Sequence, residues 1–210
     1  WGGVALTRDA GRIAAVWLPN AVLVAFLMRG SGKGDWVLIL SAFMANVAAN
    51  LLGGDDSVRA AGLAMVNSIE IGLIWSIMRW LDRPRPDMSN LEDLLMFAVV
   101  GGGLAPAAAA IVAILFLAPP NFFSALGMWR TWLLTDGMGM LIVAPAFIIL
   151  YDHWKQVARL SGKRIAEIFV ILLACNLGTT GVFYQTSLPL LFLVAPFILL
   201  FAFRFGAVGA

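Results

Sequence analysis

The sequence has few charged residues and little of the chemistry that disulfides and metal sites need. Only 12% of its 210 residues are charged, about half the fraction of a typical soluble domain, and 61% are hydrophobic. Its single cysteine, Cys175, excludes an intrachain disulfide. Its single histidine, His153, has no second His or Cys within metal-ligand spacing. These shortages indicate an integral membrane protein without a metal site.

Seven long apolar segments follow one another along the chain, each near the length of about 20 residues that a helix needs to cross a bilayer. The breaks between them contain Gly, Pro or charged residues, which end a lipid-buried helix. No segment alternates in polarity as the strands of an outer-membrane barrel do. We therefore predict an all-α fold, a polytopic transmembrane helical bundle of about seven spans. The predicted spans are residues 13–29, 36–52, 58–81, 94–117, 129–151, 165–184 and 187–203.

The domain organisation predicted from these spans is a single membrane domain over residues 1–210. Residues 13–203 form the predicted bundle. We expect residues 1–12 to be the external end of a preceding helix and residues 204–210 to start a continuation, so that the chain is truncated at both ends.

Lys and Arg are divided unevenly between alternate loops, and this bias predicts the orientation. Ten lie in one set of loops and four in the other, and the set that is richer in Lys and Arg faces the cytoplasm. Because the basic residues serve topology in this way, the net charge of +2 does not imply nucleic-acid binding. The ten are Arg29, Lys33, Arg79, Arg83, Arg85, Lys155, Arg159, Lys163, Arg164 and Arg204, and the four are Arg8, Arg12, Arg59 and Arg130.

Polar residues lie inside several spans, all between the midplane and the predicted outer surface. Glu70 lies near the middle of the third span, and Asp136 lies about two turns below the outer end of the fifth. A buried acid costs at least about 2.5 kcal/mol in a membrane, so both should face protein or water. With no obvious buried Lys partner, they need a proton, water or a ligand. The predicted outward-facing ligand pocket consists of Asn20, Asn46, Asn50, Asn67, Glu70, Asp136 and Asn176.

These polar residues also have a purely structural explanation. Membrane Asn and Glu side chains often join helices through hydrogen bonds, which contribute about 0.6 kcal/mol on average. We expect Gly137 and Gly139 to pack closely and to draw the third and fifth spans together around the acids. The glycines at 101–103 also indicate close helix packing, because no strand precedes them and no phosphate-loop lysine follows.

Residues 17–20, WLPN, begin the first span. Pro19 suits the first helical turn, where its missing N–H costs nothing, and Trp17 suits the outer membrane interface. Asn20 either caps the helix or faces the pocket. Trp129 and Trp132 are placed at the same interface, as members of an aromatic belt.

Four stretches in order along the chain resemble the signature blocks of the MASE1 family, the integral membrane sensor domain of bacterial signalling proteins. They are WLPNAVLVAFLM at 17–28, NSIEIGLIWSIMRW at 67–80, WRTWLLTDGMGMLIVAP at 129–145 and PFILLFAFRFGAVGA at 196–210. The chain departs from the family pattern at Leu18, the second position of a W-P-P-N block, and the family pattern continues beyond residue 210.

The resemblance implies a multi-pass sensor in the bacterial inner membrane, in which the Lys and Arg bias places residues 1–12 in the periplasm and Arg204 in the cytoplasm. It implies control of a cytoplasmic diguanylate cyclase, phosphodiesterase or histidine kinase, in cyclic di-GMP or two-component signalling. We expect no catalytic residue, cofactor or metal in this chain, whose partners would be the lipid bilayer and an unknown small ligand or membrane protein. A homodimer is expected, because cyclase and kinase outputs work in pairs.

Two other classes of protein remain as alternatives. Buried carboxylates are also used by proton relays, which favours a secondary transporter or proton-coupled carrier. Carriers commonly contain inverted repeats, and residues 13–81 do not align convincingly with residues 94–184. A membrane-embedded enzyme ranks third, for want of a nucleophile with a His partner.

Overall fold

The computed structural model describes residues 17–184, apart from Ser31 and Lys33, and only the backbone of residues 182–184. This part of the chain is helical and contains no strand, which confirms the predicted all-α fold. The elements are α1 (Leu18–Arg29), α2 (Asp35–Leu52), α3 (Ser57–Trp80), α4 (Leu91–Val99), a π-helical segment (Val100–Leu104), α5 (Ala105–Leu117), α6 (Phe122–Asp152), α7 (Trp154–Val157) and α8 (Gly162–Tyr184).

Five helical stretches among the described residues are long and apolar enough to cross a membrane. They are α2, α3, the continuous run Leu91–Leu117, α6 and the part of α8 from Gly162 to Gly181. The first predicted span contains only the 12-residue helix α1, and its residues 13–16 lie outside the described part of the chain. The predicted span 187–203 also lies outside it. The predicted count of seven spans is therefore not confirmed, and the structure supports five.

Polar capping residues determine where several helices start, and these starts lie before the apolar runs. The Asn121 side chain accepts a hydrogen bond of 2.9 Å from the Ser124 N–H, so α6 begins at Phe122 rather than at the predicted residue 129. Asn90 caps α4 in the same way, so α4 begins at Leu91, three residues before the predicted start of the fourth span. Helix ends of this kind are predicted poorly from the apolar residues alone, because the residues that cap the helices are polar.

The chain divides after Ile148 into two compact units. Within the described residues, the first unit contains α1 to α5 and most of α6. The second contains the end of α6, α7 and the described part of α8. The predicted pocket residues belong to the first unit, except Asn176.

Small side chains dominate the contacts inside the first unit. Helix α3 packs against α2 and α5, and α1 packs against both α2 and α3. Ala60, Ala64, Ala109 and Ala113 are fully buried along these contacts. Alanine allows two helix backbones to approach closely, so van der Waals packing can hold the bundle together. In lipid, burial of apolar side chains contributes little to helix association.

The three consecutive glycines at 101–103 lie in the π-helical segment, where they allow a close approach to α6. A Cβ atom on Gly102 would lie 2.6 Å from the Leu141 side chain. A Cβ atom on Gly137 would lie 2.5 Å from the carbonyl oxygen of Gly102. Close packing against α6 is therefore confirmed at Gly102, whereas a Cβ atom on Gly103 would have nothing within 4 Å.

The partners predicted for Gly137 and Gly139 were wrong. The two glycines were expected to bring α6 against α3, but Gly137 faces Gly102 in the π-helical segment. Gly139 faces the backbone of Trp17, just before α1. The sequence shows that these positions permit close packing, but not which backbone approaches them.

Candidate functional site

Two buried acids from different helices form the centre of the candidate site. Glu70 on α3 is 0% exposed, and Asp136 on α6 is 5% exposed. The Glu70 carboxyl group interacts with the side chains of Asp136, Trp132 and Asn20. Asp136 in turn interacts with Glu70, Thr135 and Trp132. We call Asn20, Glu70, Trp132 and Asp136 the acid site.

Most polar atoms of the acid site lack a hydrogen bond of good geometry. Both carboxyl oxygens of Glu70, Oδ2 of Asp136 and Nε1 of Trp132 are buried without such a partner. The other oxygen of Asp136 lies 3.3 Å from Oγ1 of Thr135. These side chains are close enough to interact electrostatically, but they do not form well-aligned hydrogen bonds. Each unsatisfied buried polar group costs about 1 to 3 kcal/mol, so the acid site is energetically unfavourable as it stands.

The side chains that interact with the two acids include no cation within the described part of the chain. Asn20, Trp132 and Thr135 are all neutral, and each can offer at most hydrogen-bond donors. A carboxylate in such a setting needs a proton or an external cation to limit the cost of its charge. The acid site therefore presents buried carboxyl oxygens for which the described neighbouring side chains supply no positive charge.

Backbone contacts around Trp17 and the glycines position Asp136. The Trp17 N–H donates to the carbonyl oxygen of Thr135 at 3.2 Å. Gly139, three residues further along α6 than Asp136, lies against the Trp17 backbone, and Gly137 lies against Gly102. These contacts hold the Asp136 turn of α6 against both the start of α1 and the π-helical segment.

A chain of hydrogen bonds connects α1 to α3 beside Glu70. Nε1 of Trp17 donates to Oδ1 of Asn20 at 3.1 Å. Nδ2 of Asn20 donates to Oδ1 of Asn67 at 3.2 Å. Asn67 lies one turn before Glu70 on α3, and the three side chains form a polar wall that contacts the acid site through Asn20.

A cavity of about 260 Å³ lies next to this wall, between α1, α2 and α3. Its polar lining residues are Trp17, Asn20, Asn46, Asn67 and Ser68. The other lining residues are apolar: Pro19, Leu23, Ile39, Ala42, Phe43, Ala45, Ala49 and Ile71. The two acids were expected to line a cavity directly, but neither lines this one, and Asn20 belongs to both the cavity wall and the acid site.

The remaining predicted residues differ in their relation to this cavity. Asn46 lines it and accepts a hydrogen bond of 3.0 Å from Nδ2 of Asn50, which is buried behind it. Asn176 lies in the second unit and donates to the Leu172 carbonyl oxygen at 3.0 Å. Its participation in the pocket stays a prediction. Pro19 lies in the first turn of α1.

Two tryptophans expected in an aromatic belt make specific contacts within the protein. Nε1 of Trp129 donates to the carbonyl oxygen of Ala107 on α5 at 3.1 Å. Trp132 lies beside both acids and packs against a cluster that includes Val66 and Ala109. Sequence reasoning missed the place of Trp132 in the acid site, although it precedes Asp136 by one helical turn and so shares its face.

The acid site does not have the composition of a metal centre. Among the residues that the structure describes, no group of three or more His, Cys, Asp or Glu side chains could hold a metal ion. Structural zinc sites need four such ligands, and calcium sites need six or more oxygens. A proton or a cation with its own hydrogen-bond donors suits two carboxyl groups better.

Two comparisons with known proteins give a match, one over the whole chain and one over 71% of it. The MASE1 family model matches residues 1–210. The probable diguanylate cyclase DgcE of Escherichia coli (strain K12) is 23% identical to the chain over 153 residues. This match covers 71% of the chain but only 13% of that relative. No solved structure matches the chain.

Proposed function

The chain belongs to the MASE1 family of membrane-associated sensor domains, and on this premise we propose that it controls the output of a cyclic di-GMP signalling protein. The similar region is a small part of a relative described as a probable diguanylate cyclase. A sensory input domain of a longer enzyme fits this coverage. A diguanylate cyclase is therefore the preferred output, ahead of a phosphodiesterase or a histidine kinase.

The observation that carries the proposed sensory site is the unneutralised acid pair beside a cavity. Glu70 and Asp136 are buried without a cation among their described neighbours, and Asn20, which interacts with Glu70, lines the cavity. Such a pair is a costly feature for a membrane bundle to retain for packing alone. Binding of a ligand here would remove part of that cost, and so would favour one packing of the helices over another.

Trp17 supplies the connection between the cavity and α6. Its side chain lines the cavity and donates to Asn20, while its backbone donates to Thr135 and lies against Gly139. A ligand that moves Trp17 would therefore move the Asp136 turn of α6. Helix α6 continues from this turn through the rest of the first unit, so a rotation or shift of the turn would move that part of the helix.

The proposed orientation places the acid site in the outer half of the inner membrane, with the output in the cytoplasm. The supporting observation is the excess of Lys and Arg, ten against four, in one set of loops. We propose a homodimer for the signalling protein, because diguanylate cyclase outputs act in pairs.

Cyclic di-GMP synthesis by the natural full-length protein in lipid nanodiscs tests the proposed function. Coupling free energies of 1 to 3 kcal/mol are usual, so Glu70→Gln and Asp136→Asn should each change the rate about fivefold or more. Glu92→Gln, in the first turn of α4, and Asp82→Asn, in the loop before it, make the same chemical changes at exposed positions and should leave the rate within about twofold. Unchanged synthesis in both acid-site variants would contradict the proposal.

The second candidate function is a proton-coupled carrier, which the buried acid pair also favours. Proton uptake into proteoliposomes would distinguish the two functions. A flux that is lost in Glu70→Gln but kept in Glu92→Gln would favour the carrier. Absence of flux together with altered cyclic di-GMP synthesis would favour the sensor.

A further inference from the structure

The unpartnered oxygens of the acid site match the donors of one kind of ligand. Oε1 and Oε2 of Glu70 and Oδ2 of Asp136 are three buried acceptors without a well-formed hydrogen bond. A primary ammonium group carries three N–H donors and one positive charge. It could therefore supply both the hydrogen bonds and the charge that the described neighbours of these carboxyl groups do not provide.

The cavity beside the acid site is largely apolar, which suits the hydrocarbon part of such an ammonium ligand. Leu23, Ile39, Phe43 and Ile71 give it apolar walls, and its polar residues include Asn20, which also interacts with Glu70. Its volume of about 260 Å³ equals about nine waters in the liquid, so it fits a molecule of a few heavy atoms rather than a large ligand.

We propose that this cavity binds a small organic cation, a primary amine whose ammonium group reaches the Glu70 and Asp136 carboxyl groups past Asn20 and whose apolar chain occupies the space between α1, α2 and α3. The amine would be the stimulus of the sensory site, and to that extent the inference rests on the proposed function. The binding itself needs no signalling.

Other classes of ligand fit these observations less well. An anion would be repelled by the two acids, and a neutral apolar molecule would leave their oxygens without donors. A divalent metal ion prefers more oxygen ligands than two carboxyl groups offer, and the apolar residues in the cavity supply none. An amine combines the two properties that the site presents, negative charge at one end and apolar surface at the other.

Asn20 is the residue through which the amine would act on the fold. It accepts from Trp17 and donates to Asn67, so a ligand that passes it must compete with at least one of these hydrogen bonds. Loss of the bond to Trp17 would free the residue whose backbone contacts Thr135 and Gly139 on α6. Occupancy by the amine is thereby coupled to the position of α6.

Binding of n-butylammonium chloride to the natural full-length protein in lipid nanodiscs tests the inference. Isothermal titration should show saturable binding with a Kd of about 1 mM or tighter, the range open to a ligand of five heavy atoms. The isosteric probes n-butanol and sodium butyrate should bind at least about tenfold more weakly. Sodium chloride at the same ionic strength should not displace the amine.

Matched variants locate the binding. Glu70→Gln and Asp136→Asn should each weaken n-butylammonium binding at least about tenfold, while the exposed variant Glu92→Gln should not. Ala42→Leu keeps both acids and reduces the cavity, so it should also weaken binding. Thermal unfolding of each variant, followed by circular dichroism, verifies that the loss is not a loss of fold.

Four results would overturn the inference. They are no binding of the amine to the natural protein, equally tight binding of n-butanol, displacement by sodium chloride, and unchanged binding in folded Glu70→Gln and Asp136→Asn. If cyclic di-GMP synthesis still depends on Glu70 in those cases, the proposed function stands without the amine. If the amine binds as expected but leaves synthesis unchanged, the binding site stands and the role of the amine as stimulus is overturned, while the acid-site variants decide the proposed function separately.

Discussion

Two clusters of charge in the first unit differ in how their charges are satisfied. In the loop between α3 and α4, Arg83 forms ion pairs with Asp93 and with Glu92, the latter at 2.6 Å. The second oxygen of Asp93 accepts a hydrogen bond of 2.7 Å from the Asp87 N–H. In the acid site, the oxygens of Glu70 have no such partners. We call Arg83, Asp87, Glu92 and Asp93 the loop cluster.

The segment between α3 and α4 that contains Arg83 and Asp87 also contacts the end of α1 and the residue after it. An Arg29 N–H donates to the carbonyl oxygen of Pro86 at 2.9 Å, and an Arg85 N–H donates to that of Gly30 at 3.1 Å. Paired charges of this kind hold a structure together, because removing one partner leaves the other uncompensated. Unpaired buried acids do the reverse, and the proposed ligand site depends on this difference. The comparison predicts opposite effects on stability when a carboxylate is removed from each cluster.

The largest effect is expected from the loop cluster. Asp93→Ala removes the buried partner of Arg83 and the acceptor for the Asp87 N–H, and should lower the free energy of unfolding by about 3 kcal/mol. Chemical unfolding in mixed micelles measures this. Glu92→Ala removes the exposed partner of the same arginine and should cost less than about 1 kcal/mol. Equal effects of the two substitutions would contradict the distinction between a buried and an exposed pair.

A smaller loss is expected next to the acid site, where packing takes the place of hydrogen bonds. Gly137→Ala would bring a Cβ atom to within 2.5 Å of the Gly102 carbonyl oxygen, and should destabilise the protein by about 2 kcal/mol. Gly127→Ala lies on the same helix with nothing within 4 Å of the added Cβ atom, and should be neutral or slightly stabilising. If both glycines tolerate alanine equally, α6 does not pack against the π-helical segment as described.

Removal of a charge from the acid site should have the opposite sign. Glu70→Gln keeps the shape of the side chain and removes a buried carboxylate without a well-formed partner, so it should raise the free energy of unfolding by about 1.5 kcal/mol. The same unfolding experiment measures the gain. A loss of stability as large as that of Asp93→Ala would show that Glu70 is a paired structural residue, and the comparison would fail.

The sequence predicts the helices and the burial of the two acids better than it predicts their neighbours. Apolar length and loop composition were sufficient for the helical fold, because a membrane requires long helices with satisfied backbones. The cost of a buried acid was enough to single out Glu70 and Asp136. The apolar length of a segment and the cost of an acid inside it are both local properties, so each can be evaluated for one segment at a time.

Contacts between distant segments could not be predicted in this way. Nothing in the sequence shows that Gly137 meets Gly102 or that Gly139 meets Trp17, because many small residues could accept a neighbouring helix. The position of Trp132 beside the acids was missed because a tryptophan near the end of a span can lie either at the membrane interface or inside the protein, and the sequence does not distinguish the two. Asn20 was placed in the pocket only as one of two alternatives, and the bond to Asn67 that fixes it joins residues 47 positions apart.

The most direct test of the central claim is a double-mutant cycle between Glu70→Gln and Asp136→Asn, measured as free energies of unfolding in mixed micelles. If the two carboxyl groups form one site, each substitution relieves part of the same unfavourable charge, so the second adds less than it does alone. We expect the gain of the double variant to fall short of the sum of the single gains by at least about 0.5 kcal/mol. Additivity within about 0.3 kcal/mol would show two independent acids and would contradict the existence of a shared site.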